Sequence, residues 1–142
     1  MLAIGGFHES RPLEPAATFA AGKSIRVYCN SVGHPLGYVA YPGDRRIEVS
    51  ARQVCAPLLA WRARRPVGVY EFAFGLMVLA HEAQHARGTW DETDATCDAI
   101  ALLPVLARRY FPLRGRATAR EIVDDARAAQ LSLGEQYNAH PC

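Results

Sequence analysis

The spacing of apolar residues changes character along the chain. Residues 1–22 carry Gly5, Gly6, Pro12, Pro15, Ala16 and Ala17 with no apolar period, which predicts a flexible N-terminal arm. From Ile25 the run I-R-V-Y-C alternates apolar and polar residues. Two further short runs, Gly37 to Tyr41 and Arg46 to Val49, flank Pro42-Gly43-Asp44. Alternation around such a turn predicts a small antiparallel sheet with one hairpin. Beyond it the period becomes helical. Ser50-x-x-Gln53 has the form of a capping box, and Val54, Leu58 and Trp61 follow at helical spacing, so a helix is expected from about Ala51 to Arg64, bent near Pro57.

The next segment, VGVYEFAFGLMVLAHEAQHA from Val67 to Ala86, lies between Pro66 and Gly88 and is apolar on nearly all sides. It predicts a buried central helix that starts after the proline and stops at the glycine. From Asp91 to Tyr110, Ala95, Ala99, Leu102 and Leu103 share a helical face, and Pro104 is expected to kink or break it. Thr118-x-x-Glu121 then caps a last helix with Ile122, Ala126, Ala129 and Leu133 turned inward. The pattern as a whole is α+β, with about four helices and a small three-stranded antiparallel sheet in one domain over residues 23–142.

Composition narrows the function classes. Half of the 142 residues are apolar, enough for a single core. The net charge of +2 comes from 16 basic and 14 acidic residues spread without a block of like sign, which argues against nucleic acid as the main partner. Arg62, Arg64 and Arg65 read as the solvated end of a helix. No charge-free apolar stretch is long enough to span a membrane, and Met1 to Phe7 lacks the basic start and long apolar core of a secretory signal. Cys29, Cys55, Cys97 and Cys142 are too far apart for a zinc knuckle, so two disulfides are expected, in any of three connectivities. Disulfides would place a mature or trimmed chain outside the cytoplasm; free buried thiols in a cytoplasmic protein are the alternative.

The chemistry is concentrated in His81-Glu82-Ala83-Gln84-His85, an H-E-x-x-H motif near the end of the central helix. Two imidazoles four residues apart project from one helical face about one turn apart, which suits two ligands of a tetrahedral Zn²⁺. Glu82 can then act as general base toward a metal-activated water attacking a peptide carbonyl. Three polar side chains in an apolar helix are costly unless coordinated or paired, and one metal accounts for all of them.

A catalytic zinc needs a third protein ligand. Asp91 stands where H-E-x-x-H-x-x-G-x-x-H/D places it, after Gly88, but both methionines, Met1 and Met77, precede the motif, so the methionine turn of that class is missing. Glu92 opens the following helix, although Thr89-x-x-Glu92 also reads as a capping box. The run Glu92-Thr-Asp-Ala-Thr96-Cys97-Asp-Ala resembles the E-x-x-x-x-C-x-A helix of small H-E-x-x-H proteins common among uncharacterised actinobacterial reading frames, which look like minimal gluzincin-type zinc peptidases. Cys29, the stretch from Ile47 to Leu58 around Cys55, Tyr137 and Cys142 share the resemblance, which spans about two thirds of the chain. It implies a zincin-like fold, zinc held by His81, His85 and Glu92, Glu82 as base, and a peptide or protein substrate of unspecified kind. Many gluzincins place Asp four residues after the glutamate ligand. Here that residue is Thr96, so support for the histidines is expected to be weaker or to come from Asp94 or Asp98. His34, His140, Tyr110, Tyr137 and Arg87 are weaker candidates for the site. A non-catalytic module, stabilised by zinc or stapled by disulfides outside the cell, is the alternative function.

Overall fold

The computed structural model of the chain describes residues 6–31, 36–41, 43–112, 118–132 and 142. Among them, five α-helices and a four-stranded mixed sheet make an α+β fold. In chain order the elements are β1 (Phe7–Glu9), α1 (Glu14–Ala21), β2 (Arg26–Asn30), β3 (Gly37–Tyr38), β4 (Arg46–Ser50), α2 (Ala56–Arg62), α3 (Val69–Arg87), α4 (Glu92–Tyr110) and α5 (Ala119–Ser132). A helix apolar on all sides has no face to give to water, so it is buried on all sides. Accordingly α3 lies at the centre, with α1, α4 and α5 against it and the sheet beside it. Every residue from Phe72 to Ala86 except Phe74 is buried.

Three expectations are corrected. Residues 7–21 are no loose arm. β1 pairs antiparallel with β2, Phe7 opposite Asn30 and Glu9 opposite Tyr28. α1 buries Ala16, Ala17, Ala20 and Ala21, and the buried Gln84 carboxamide donates to the Ala20 carbonyl at 3.1 Å. An all-alanine face carries little hydrophobic contrast, so the helix is faint in the sequence; the helix count rises from about four to five with it.

The sheet is mixed, in the order β1-β2-β4-β3. β2 and β4 run parallel, Val27 opposite Ile47 and Cys29 opposite Val49, and all four of these side chains are buried. The expected hairpin forms between β3 and β4, Gly37 opposite Val49. The chain therefore leaves β2, passes to the sheet edge as β3 and turns back to fill the place beside β2. Alternation marks the buried face of a strand but carries no direction. Finally, of the kink or break expected at Pro104, the break does not occur, since α4 continues through it. Proline removes one helical hydrogen bond, while burial of Ile100, Leu103, Leu106 and Ala107 holds the helix on both sides of it.

Element ends follow the local chemistry. Ser50 Oγ accepts the Gln53 amide at 3.1 Å and starts a π-helical turn, Ala51–Cys55, that leads into α2. Gly88, at φ 119°, ends α3 in the left-handed region that favours glycine, and the Thr89 amide reaches back to the Gln84 carbonyl at 2.9 Å. Thr118 Oγ1 accepts the Glu121 amide at 3.2 Å at the start of α5. Of the three disulfide connectivities the structure holds Cys29–Cys55, which ties β2 to the π-helical turn, and Cys97–Cys142, which ties α4 to the last residue. Both are compatible with an extracellular protein. No helix of the described residues is long and apolar enough to cross a membrane.

Candidate metal centre

The tight Gly88–Asp91 connection returns the chain so that α4 packs along α3 and its first residue faces the histidines. His81, His85 and Glu92 each offer a ligand atom, and these atoms lie within 4.8 Å of one another. Glu92 Oε1 is 2.8 Å from His81 Nε2 and 3.0 Å from His85 Nε2. Both histidines are buried, while the Glu92 side chain is 47% exposed, so the group opens to solvent on the α4 side.

The donor chemistry fits a cation. His85 Nδ1 lies 2.7 Å from the Thr89 carbonyl, an acceptor only, so the proton of the neutral ring sits on Nδ1 and Nε2 presents its lone pair toward Glu92. A cation held between that nitrogen and the Glu92 oxygen 3.0 Å away would satisfy both, as would a proton on Nε2. Burial, and then the neighbouring His85, push the His81 pKa from 6.5 down to about 3. His81 is therefore neutral at pH 7, the form that ligates metals. Ligands about 2.1 Å from a tetrahedral zinc stand about 3.4 Å apart. The two Glu92–histidine separations are about half an ångström shorter than that, while the ligand atoms of the group span up to 4.8 Å, so Glu92 would move back and the set would adjust around such an ion.

Support for the ligands comes partly from groups that are not acidic. Thr96, fully buried, places its hydroxyl 3.0 Å from His81 Nδ1. Thus the residue expected to weaken the site is itself the contact to His81. Its signal in the sequence is its place one helical turn after Glu92 on the α4 face toward α3. Asp91, the alternative third ligand, accepts the Asp94 amide at 2.9 Å and caps α4, so the group contains Glu92 and not Asp91. This cap also replaces the Thr89-x-x-Glu92 box.

Glu82 is buried on the same helix, its Oε2 3.9 Å from His81 Nε2. Edge strand β3 lies directly on it: a Cβ built at Gly37 would stand 2.7 Å from Glu82 Oε2. The glycine allows that approach, and the spacing of apolar residues gives no hint of it. Trp90, 53% exposed, sits edge-on to His85 with ring centroids 5.3 Å apart, and the Gly43 amide reaches the His85 carbonyl at 3.4 Å. Of the weaker candidates, Tyr110 packs against Phe19 and Arg87 is exposed. His34, His140 and Tyr137 lie outside the described residues.

No protein-family model, curated protein or solved structure matches the chain. The assignment of this centre therefore rests on its geometry and donor chemistry.

Proposed function

We propose that the protein is a zinc-dependent peptidase or peptidase-like hydrolase of zincin-like, gluzincin type. One observation carries the reading: two histidines and a glutamate converge within 4.8 Å, with Glu82 buried beside them on the same helix. Zinc held by His81, His85 and Glu92 would polarise a peptide carbonyl and lower the pKa of water. Glu82 takes the proton of the attacking water and later delivers it to the leaving amine. Thr96 and the Thr89 carbonyl fix the orientation of the two imidazoles. The substrate is a peptide or protein, which would add as an extended strand to the sheet edge formed by β3.

The neutral Thr96 behind His81 and the two disulfides also favour a second reading, an extracytoplasmic binding module that keeps zinc without turnover. Metal content by mass spectrometry, on protein purified without added metal, tests the centre. Near-stoichiometric zinc in wild type and Asp91→Ala, lost in Glu92→Ala, is the expected result. No zinc in wild type, even after reconstitution, would overturn both zinc readings. Glu82→Gln then separates them: a peptidase keeps its zinc and loses hydrolysis of an unfolded protein, whereas a binding module shows no hydrolysis to lose.

A further inference from the structure

Strand addition at β3 engages the backbone of a peptide and does not by itself choose among side chains. Three exposed aromatic residues stand away from the metal centre. Phe7 lies on β1, at the opposite edge of the sheet from β3, and Tyr70 stands near the start of α3, about three turns before His81. Tyr38 follows Gly37 on β3, and because successive strand residues alternate, it points to the other face from Glu82. Trp90 is different: its half-exposed ring stands edge-on to that of His85, with centroids 5.3 Å apart.

The backbone around the indole is held on both sides. The Thr89 amide donates to the Gln84 carbonyl at 2.9 Å, and the Thr89 carbonyl meets His85 Nδ1 at 2.7 Å. The Asp91 carboxylate accepts the Asp94 amide at 2.9 Å, and the Asp91 carbonyl accepts that of Ala95, also at 2.9 Å. Trp90 is thereby fixed where the chain passes from the two histidines to Glu92. A zinc ion about 2.1 Å from His85 Nε2 stands about 3.2 Å from the centre of the imidazole ring. The centre of the indole then lies no more than about 8.5 Å from that ion. Aromatic rings pair with centroids about 4.5–7 Å apart, and extended residues advance about 3.3 Å each. A side chain within one or two residues of the attacked carbonyl therefore reaches the indole.

We propose that Trp90 is a specificity-determining residue, the platform on which a large apolar side chain of the substrate, aromatic above all, rests beside the attacked bond. The inference rests on the peptidase reading above. The preference arises because the exposed part of the indole and the substrate side chain leave water together, and a second ring adds edge-to-face or offset stacking. Since the neighbours of Trp90 are already tied, little order has to be created on binding. The preferred substrate is accordingly a polypeptide with phenylalanine, tyrosine or a similar residue next to the attacked bond, and a peptide of glycine and serine alone is a poor one.

The test is binding to the zinc-loaded full chain by titration calorimetry, which needs no turnover. Acetohydroxamate, a metal ligand with no side chain to rest on the indole, is the reference. The probes are benzohydroxamate, phenylacetohydroxamate and phenylpropionohydroxamate, which carry the same ring at increasing distance from the metal-binding group. The best of the three is expected to bind about five- to tenfold more tightly than acetohydroxamate, the scale of one aromatic pair. That ratio should fall to about one in Trp90→Ala and be largely kept in Trp90→Phe. A ratio near one in wild type, or one that persists in Trp90→Ala, would overturn the platform and leave the metal centre standing. A Trp90→Ala chain that no longer takes up zinc would make the indole a support of the centre and overturn the platform as well. Wild type that takes up no zinc and binds no acetohydroxamate would overturn the peptidase reading and the platform with it.

Discussion

Thr96→Val tests whether a neutral hydroxyl can orient a metal-binding histidine. Valine keeps the shape of the fully buried threonine and removes the oxygen that lies 3.0 Å from His81 Nδ1. Two costs follow from that one atom. Losing an outer partner of a ligating histidine lowers metal affinity about 10- to 100-fold, or about 1.4–2.7 kcal/mol. In the metal-free protein the lost hydrogen bond costs about 1 kcal/mol, rising to about 3 kcal/mol where the ring nitrogen finds no substitute in a dry site. Competition for zinc against a chromophoric chelator at neutral pH measures the first, and urea denaturation of metal-free protein the second. Thr96→Ser, which restores the hydroxyl, should recover most of the affinity. If the valine variant binds zinc as tightly as wild type, the hydroxyl does not position His81 and the account of the site is wrong on that point.

Gly37→Ala should lower hydrolysis with little loss of zinc, because the new methyl group would press on the buried Glu82 side chain and force it to shift; unchanged turnover would show that β3 does not confine the base. Replacing Cys29 and Cys55 by alanine opens a bridge between residues 26 apart, which should cost about 3–4 kcal/mol and lower Tm by roughly 10 °C in calorimetry. A shift of only a degree or so would mean that the bridge contributes nothing to stability. His81 makes the metal-free protein acid-sensitive: its pKa is about 3 when folded against 6.5 when exposed. Between those values the unfolded chain binds a proton that the folded chain refuses, so stability falls as pH is lowered through this window. Chemical denaturation at several pH values should show the decline in wild type and a shallower one in His81→Asn; equal slopes would refute it.

The sequence alone determined what depends on neighbours along the chain. The bounds of α3, its burial and the four-residue spacing of His81 and His85 follow from helical periodicity, Pro66 and Gly88. The caps at Ser50 and Thr118 follow from side chains that bond an amide three residues on. What depends on distant neighbours had to come from the tertiary structure. The parallel pairing of β2 with β4 and the alanine face of α1 are decided by what packs against them. The choice of Glu92 over Asp91 was beyond local reading as well, since adjacent acidic residues look alike until one caps α4 and the other meets the histidines. The same holds for Gly37 on Glu82 and Thr96 on His81, contacts across 45 and 15 residues. A side chain's identity is local, but the partner that gives it a role is set by how the helices and the sheet edge come together in space.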